Sequence, residues 1–270
     1  MRLPFRWLPP LILIALSASP AWSATFDHDD WDTLLSEHVH WQRDGVASSV
    51  DYDGFAADRD TLSGYLSSLS ALSTDRFQAL SRPERLAFLI NAYNAFTVEL
   101  ILRQENRPDS IRDIGSIFSG PWSRRFFTLL GEERTLDELE HQMIRGNPAL
   151  MDPRIHFAVN CASVGCPALR PEAYTGERLE AQLADSTRRF LSDRRRNRYD
   201  AEDQVLKVSS IFDWYEEDFE DSAGSLADYL LRYADALALP AGARRDLEAG
   251  DPPIRFLDYD WSLNIGSNNP

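Results

Sequence analysis

The sequence predicts an α+β fold: one helix-dominated domain with a small β-sheet and a buried central helix. Three observations lead there. The segment "SRPERLAFLINAYNAFTVELILRQ" repeats apolar residues at spacings of three and four, the signature of a helix. Two short stretches, "RIHFAVN" and "QVLKVS", have the alternating or β-branched character of strands. Strands and helices do not alternate regularly along the chain, which argues against a doubly wound parallel sheet.

The chain opens on a positive start (Arg2, Arg6) and a short apolar run, "LILIAL". Small residues follow at Ala21 and Ser23, before a cut ahead of Ala24. Residues 1–23 therefore read as a cleavable signal peptide, and the apolar run is short of the roughly 20 residues needed to span a bilayer. The expectation is a periplasmic or secreted protein with no membrane contact after cleavage, residues 24–270 forming a single domain.

Within that domain, Trp31, Leu34, Leu35 and Val39 mark an amphipathic helix, and a second helix covers Asp60 to Leu72. Ser81, Pro83 and Glu84 give the central helix an N-cap, a first-turn proline and a capping box. From Leu86 to Leu102 that helix is apolar nearly all round, which places it inside the protein. Thr135 and Glu138 form a second capping box, for a helix that ends near Gly146. "RIHFAVN" then reads as a strand delivering Cys161 at its end. A helix from Thr175 to about Leu191, the strand "QVLKVS", helices at Ile211–Phe219 and Leu226–Leu237, and a last strand in "IRFLDYDWSLN" complete the order.

Composition narrows the partners. Of the 28 Lys+Arg, two lie in the first 23 residues, and none of the 43 Asp+Glu does, so the remainder carries a net charge near −17. Phosphate backbones and anionic membrane surfaces require clustered positive charge, so nucleic acid is excluded as a partner. A small molecule or a peptide is the expected ligand. No sequence signature calls for a cofactor: Walker, GxGxxG, GxSxG and HExxH patterns are missing.

The candidate chemistry lies in three places. Asn91 and Asn94 sit three apart on one face of the central helix, where an unpaired amide costs about 1–3 kcal/mol. They either bind loop backbone or serve a catalytic group. Glu140 and His141 lie on the next helix, with Asp137 and Arg145 four residues either side of the imidazole, as a base held in one tautomer requires. Cys161 follows the predicted strand and precedes a small, turn-prone stretch, a common place for a nucleophile. On an extended strand His156 would lie about 16 Å from Cys161 and on the other face, so His141 is the better base. Three readings of the cysteines stay open: a free nucleophile, a Cys161–Cys166 disulfide, or zinc ligation, for which the spacing is unusual and no second cysteine pair exists. The site expected here contains no metal.

Several of these stretches together resemble one family. "FLINAYNAFTVELIL", "SIRDI", "TLDELEHQMIR", "DPRIHFAVNCASVGCP", "SSIFDWYEEDF" and "YDWSLN" are similar, in order and spacing, to domain-of-unknown-function family 547 (DUF547), in its exported bacterial type. The likeness spans about residues 82–264. It implies signature positions at Asn91, Tyr93, Asn94, Glu140, His141, Asp152, Pro153, Arg154, His156, Asn160, Cys161, Ser163, Cys166 and Pro167. The family name implies no activity.

Two functions are expected. The first is a thiol-dependent hydrolase or acyltransferase on an amide or ester. Cys161 is its nucleophile, His141 its base, Glu140, Asn91 or Asn94 its orienting group, and Tyr93, Arg154, His156, Asn160 and Ser163 its substrate contacts. Its parts are those of papain-like and transglutaminase-like enzymes. The second is a non-catalytic binding or interaction domain stapled by Cys161–Cys166.

Overall fold

The computed structural model describes residues 25–115, 120–249 and 253–266. The predicted signal peptide, residues 1–23, lies outside them. In chain order the helices are α1 (Asp29–His38), α2 (Tyr52–Ala57), α3 (Arg59–Ala71), α4 (Thr74–Ala79), α5 (Arg82–Leu102), α6 (Leu179–Ser192), α7 (Ile211–Trp214), α8 (Glu216–Ala223), α9 (Leu226–Leu231) and α10 (Ala241–Glu248). Strands β1 (Val39–Gln42) and β2 (Ala47–Val50) form one antiparallel hairpin, and β3 (Phe127–Leu129) and β4 (Glu132–Arg134) another. A three-stranded sheet has the order β5-β6-β7, from β5 (Arg198–Asp200), β6 (Val205–Ser209) and β7 (Ile254–Leu257). Strand β6 pairs antiparallel with β5 and parallel with β7. The fold is α+β, as the sequence predicts.

Helix α5 is the helix expected to be central, and every residue from Leu86 to Ile101 is buried. It is long and apolar enough to cross a membrane, yet most of it is enclosed by protein. The Ser81 hydroxyl caps it by accepting from the Glu84 amide at 3.3 Å, a contact worth about 1 kcal/mol. The box stays half-formed because the Glu84 carboxylate turns instead to the backbone of Gly176 and Phe26. A Cβ at Gly176 would stand 2.2 Å from Glu84 Oε1, so the carboxylate would have to swing aside. The second capping box is complete, with Glu138 N donating to Thr135 Oγ1 at 3.0 Å and Thr135 N to Glu138 Oε2 at 3.1 Å.

Two apolar clusters carry the packing. One surrounds α5 and extends from Trp31 to Leu183, with Leu263. The other gathers Phe157, Phe190, Phe212, Phe219 and Tyr229 against α8 and α9. The stretch read as a strand, "RIHFAVN", is instead a 3-10 turn over Pro153–Phe157. Its starters outweigh its alternation: Asp152 accepts from the Arg154 amide at 3.0 Å, and Pro153 fixes φ at the first position. Side chains of a 3-10 helix step by about 120°. Ile155 therefore enters the first cluster and Phe157 the second, which leaves His156 between the two.

Candidate active site

The segment Glu138–Arg145 is wound as a π-helix, with Gly146 N donating to His141 O at 2.9 Å. Widening the turn puts Glu140 on the buried face with Leu136, Leu139 and Ile144. Glu140 is thereby pulled inside, to 6% exposure, and His141 is left exposed. Glu140 accepts from the Tyr215 hydroxyl at 2.7 Å, and Tyr93 lies near the same carboxylate. Burial, reinforced by this negative charge, pushes both phenols well above the usual tyrosine range, so they remain donors.

A cavity of about 210 Å³ lies in front of Glu140. Asp137, Glu140, His141, His156 and both cysteines line it, and Trp122, Trp214, Tyr215, Tyr259 and Trp261 wall it. His156 is 2% exposed and stacks on Tyr215, ring centroids 3.8 Å apart. Its Nε2 lies 2.6 Å from Asp218 Oδ2, an oxygen that also accepts from Arg145 Nε at 2.6 Å. Burial alone would raise the Asp218 carboxyl, but the bonds from His156 and Arg145 outweigh it and hold it at about 2. Burial lowers His156 against the opposing pull of Asp218 and then Glu140. Near neutral pH the imidazole is therefore uncharged. An ionised carboxylate only accepts, so the single imidazole proton sits on Nε2 and Nδ1 keeps its lone pair. Among the described residues Nδ1 has no hydrogen-bond partner.

His141 is arranged differently. Its Nδ1 lies 3.0 Å from Arg145 Nη1, and a guanidinium only donates, so that lone pair is occupied. Asp137, half-buried, is raised by burial above the usual carboxylate range.

The sulfur atoms of Cys161 and Cys166 lie at disulfide distance, 2.16 Å, and no free cysteine remains. Bonded cysteines offer no thiolate to a metal. Among the described residues the group with metal-ligand spacing is Glu37, His38 and Asp58, none of which lines the cavity. The cysteine loop is held from two sides. Ala162 has φ +64°, costing about 1 kcal/mol for a residue with a Cβ. Its amide donates to Asn160 Oδ1 at 2.9 Å, and its carbonyl accepts from Asn264 N at 3.0 Å. Tyr259 lies flat on Gly165, where a Cβ would meet its ring at 2.8 Å.

Of the expected site residues, the structure brings Cys161, His141, Glu140, Tyr93 and His156 to one cavity. It does not bring the others. Asn91 exchanges two bonds with the Tyr174 backbone (2.7 and 3.0 Å), and Asn94 donates to Ala158 O at 3.0 Å while accepting from Asn160 N at 2.8 Å. Both carboxamides are spent on loop backbone. Asn160 and Ser163 are buried in the loop itself. Arg154 is paired with Asp152 and Glu180. The separation expected for His156 and Cys161 is corrected with the strand that implied it: both line the same cavity.

The sequence reading missed Asp218, Tyr215, Trp214, Tyr259 and Trp261. They sit in "SSIFDWYEEDF" and "YDWSLN", stretches that contain no cysteine or histidine to draw notice. Residues 77–191 match the family model described as "Protein of unknown function, DUF547". That segment contains α5, the π-helix, His156 and both cysteines, whereas Asp218 and Tyr259 fall beyond it. No curated protein and no solved structure matches the chain.

Proposed function

We propose that the cavity is the active site of a thiol-dependent hydrolase or acyltransferase acting on an amide or ester. Cys161 is the nucleophile, and His156, oriented by Asp218, replaces His141 as the base. One observation carries this reading: a buried, uncharged imidazole held by a carboxylate has its other nitrogen unpartnered among the described residues, and His156 and Cys161 line the same cavity. The working state is the reduced one, since a bonded sulfur cannot attack a carbonyl. Glu140 keeps Tyr215 in place along one wall. The cavity suits a small molecule or a peptide side chain, and export to the periplasm or beyond belongs to the same proposal.

Pre-reduced protein treated with p-nitrophenyl acetate tests it. A burst of nitrophenolate with one acetyl group on Cys161 by intact mass and peptide mapping is the expected result. The burst disappears in Cys161→Ser and His156→Gln but survives in Cys166→Ser. Absence of a burst, or an equal one in all variants, rejects the enzyme reading.

The bonded sulfurs favour a second reading, a binding domain with Cys161–Cys166 as a staple. A ring this small contributes roughly 2 kcal/mol. That reading expects Cys161→Ala and Cys166→Ala to lose the same stability and to differ in nothing else.

A further inference from the structure

The two bonded sulfurs have unlike surroundings. Cys166 is 3% exposed, and its Sγ accepts from the Cys161 amide at 3.0 Å and from the Ser163 amide at 3.4 Å. Cys161 is half-buried and lines the cavity. Its Sγ has only hydroxyl neighbours among the described residues, Tyr259 at 3.2 Å and Ser163 Oγ at 3.7 Å. The Tyr259 hydroxyl also lies 3.3 Å from Cys166 Sγ.

This asymmetry has a chemical direction. A thiolate that attacks one sulfur of a disulfide expels the other as a thiolate, and the rate depends on how well that leaving anion is stabilised and on which sulfur is accessible. Fixed amide dipoles stabilise such an anion without reorganisation. Here the accessible sulfur is Cys161 and the amide-cradled one is Cys166. The left-handed turn at Ala162 aims the amides of Cys161 and Ser163 at the same atom, and the Asn160 side chain fixes that turn.

We propose that Cys161–Cys166 is a thiol–disulfide exchange centre for a low-molecular-weight thiol. The external thiol, its proton lost to solvent, attacks Cys161 Sγ from the cavity. A new S–S bond forms between it and Cys161 as the Cys161–Cys166 bond breaks, and the electron pair of that bond passes to Cys166. A second external thiolate then attacks its own kind in the mixed disulfide, releasing an external disulfide and the Cys161 thiolate. Two external thiols are thereby oxidised to one disulfide, and the protein pair is reduced to two thiols. A cavity of about 210 Å³ walled by Trp122, Trp214 and Trp261 gives a small thiol a place beside Cys161.

Exchange stands apart from the acyl-transfer reading and is measured separately. Wild-type protein is exposed to reduced glutathione under native conditions, quenched in acid, and mapped by intact mass and peptide analysis. Cys166→Ser and Cys161→Ser are exposed to glutathione disulfide, with near-ultraviolet circular dichroism confirming that each is folded. Should either variant fail to fold, the wild-type adduct map decides alone. The expected result is one glutathione on Cys161 of the wild type and of Cys166→Ser, and none on Cys161→Ser until it is denatured. Tyr259→Phe, with one fewer donor to the leaving sulfur, should slow adduct formation about fivefold. Adducts on Cys166, equal labelling of the two single-cysteine variants, or a wild-type disulfide untouched by glutathione until denaturation would each overturn the exchange proposal. A nitrophenolate burst from protein pre-reduced with a phosphine would survive that failure, so the two readings fall separately.

Discussion

Two regions of this molecule bury an imidazole with one unpartnered nitrogen, and only one of them looks built for chemistry. His28 lies against Phe26, Tyr65 and Phe88 in the N-terminal core, its Nδ1 2.7 Å from the Tyr65 hydroxyl and its Nε2 without a partner. His156 lies at the seam between the two cores, its Nε2 on Asp218 and its Nδ1 without a partner. Burial lowers both. The difference is in the partner and in the cavity that His156 borders. A phenol leaves His28 simply neutral, in a site packed with rings. An ionised carboxylate fixes the tautomer of His156, and the residue borders the cavity. The proposed base thus differs from a merely buried histidine in its charged orienter and in the cavity it borders.

The largest expected break in that comparison comes from Asp218. Asp218→Ala strands His156 and Arg145 without their shared acceptor, and removing one partner of a buried pair costs about 3–5 kcal/mol. Urea midpoints should fall accordingly, and a loss below about 1 kcal/mol would show that Asp218 does not anchor the site.

The pH dependence of His28 comes next. Burial takes it from 6.5 to about 4. The unfolded chain therefore binds a proton that the folded one refuses, and stability is complete above about pH 6.5 and lost as pH falls toward 4. The drop assigned to this residue is about 3 kcal/mol. His28→Asn, which keeps an acceptor for Tyr65, should flatten the stability profile in that window, and an unchanged profile would refute the assignment. Asp218 acts in a separate and lower window: its depressed carboxyl loses its contribution only as pH falls below about 4 toward 2.

Tyr65→Phe removes one neutral bond to His28 and should cost only about 1 kcal/mol, several-fold less than Asp218→Ala. Equal losses would erase the distinction between the two regions. Smallest of all is Ala162→Gly. Relief of the left-handed turn and the greater freedom of glycine in the unfolded chain oppose each other, and the net change in melting should lie within about 0.5 kcal/mol.

Much of this was legible in the sequence, and the reasons for the remainder are physical. Helix α5 announced itself because a helix buried on all sides needs both a start signal and a continuous apolar surface, and both are local. The asparagines were legible as buried amides needing partners, but not what they bind, since Tyr174 and Asn160 lie 83 and 66 residues away. The stretch Pro153–Phe157 misled because alternation is shared by a strand and by a short turn that feeds two cores. The π-turn at Glu140 has no periodic signature at all, so His141 looked better placed than it is. Asp218 was invisible as a site residue for the same reason that it matters: it reaches its imidazole across 62 residues of chain.

The central claim is the protonation of His156, and nitrogen-15 NMR of the folded protein, with His156→Gln for assignment, reads it directly. At pH 7 the account predicts a protonated, pyrrole-type Nε2 and a bare, pyridine-type Nδ1. A doubly protonated ring, or a proton on Nδ1 instead, would contradict it.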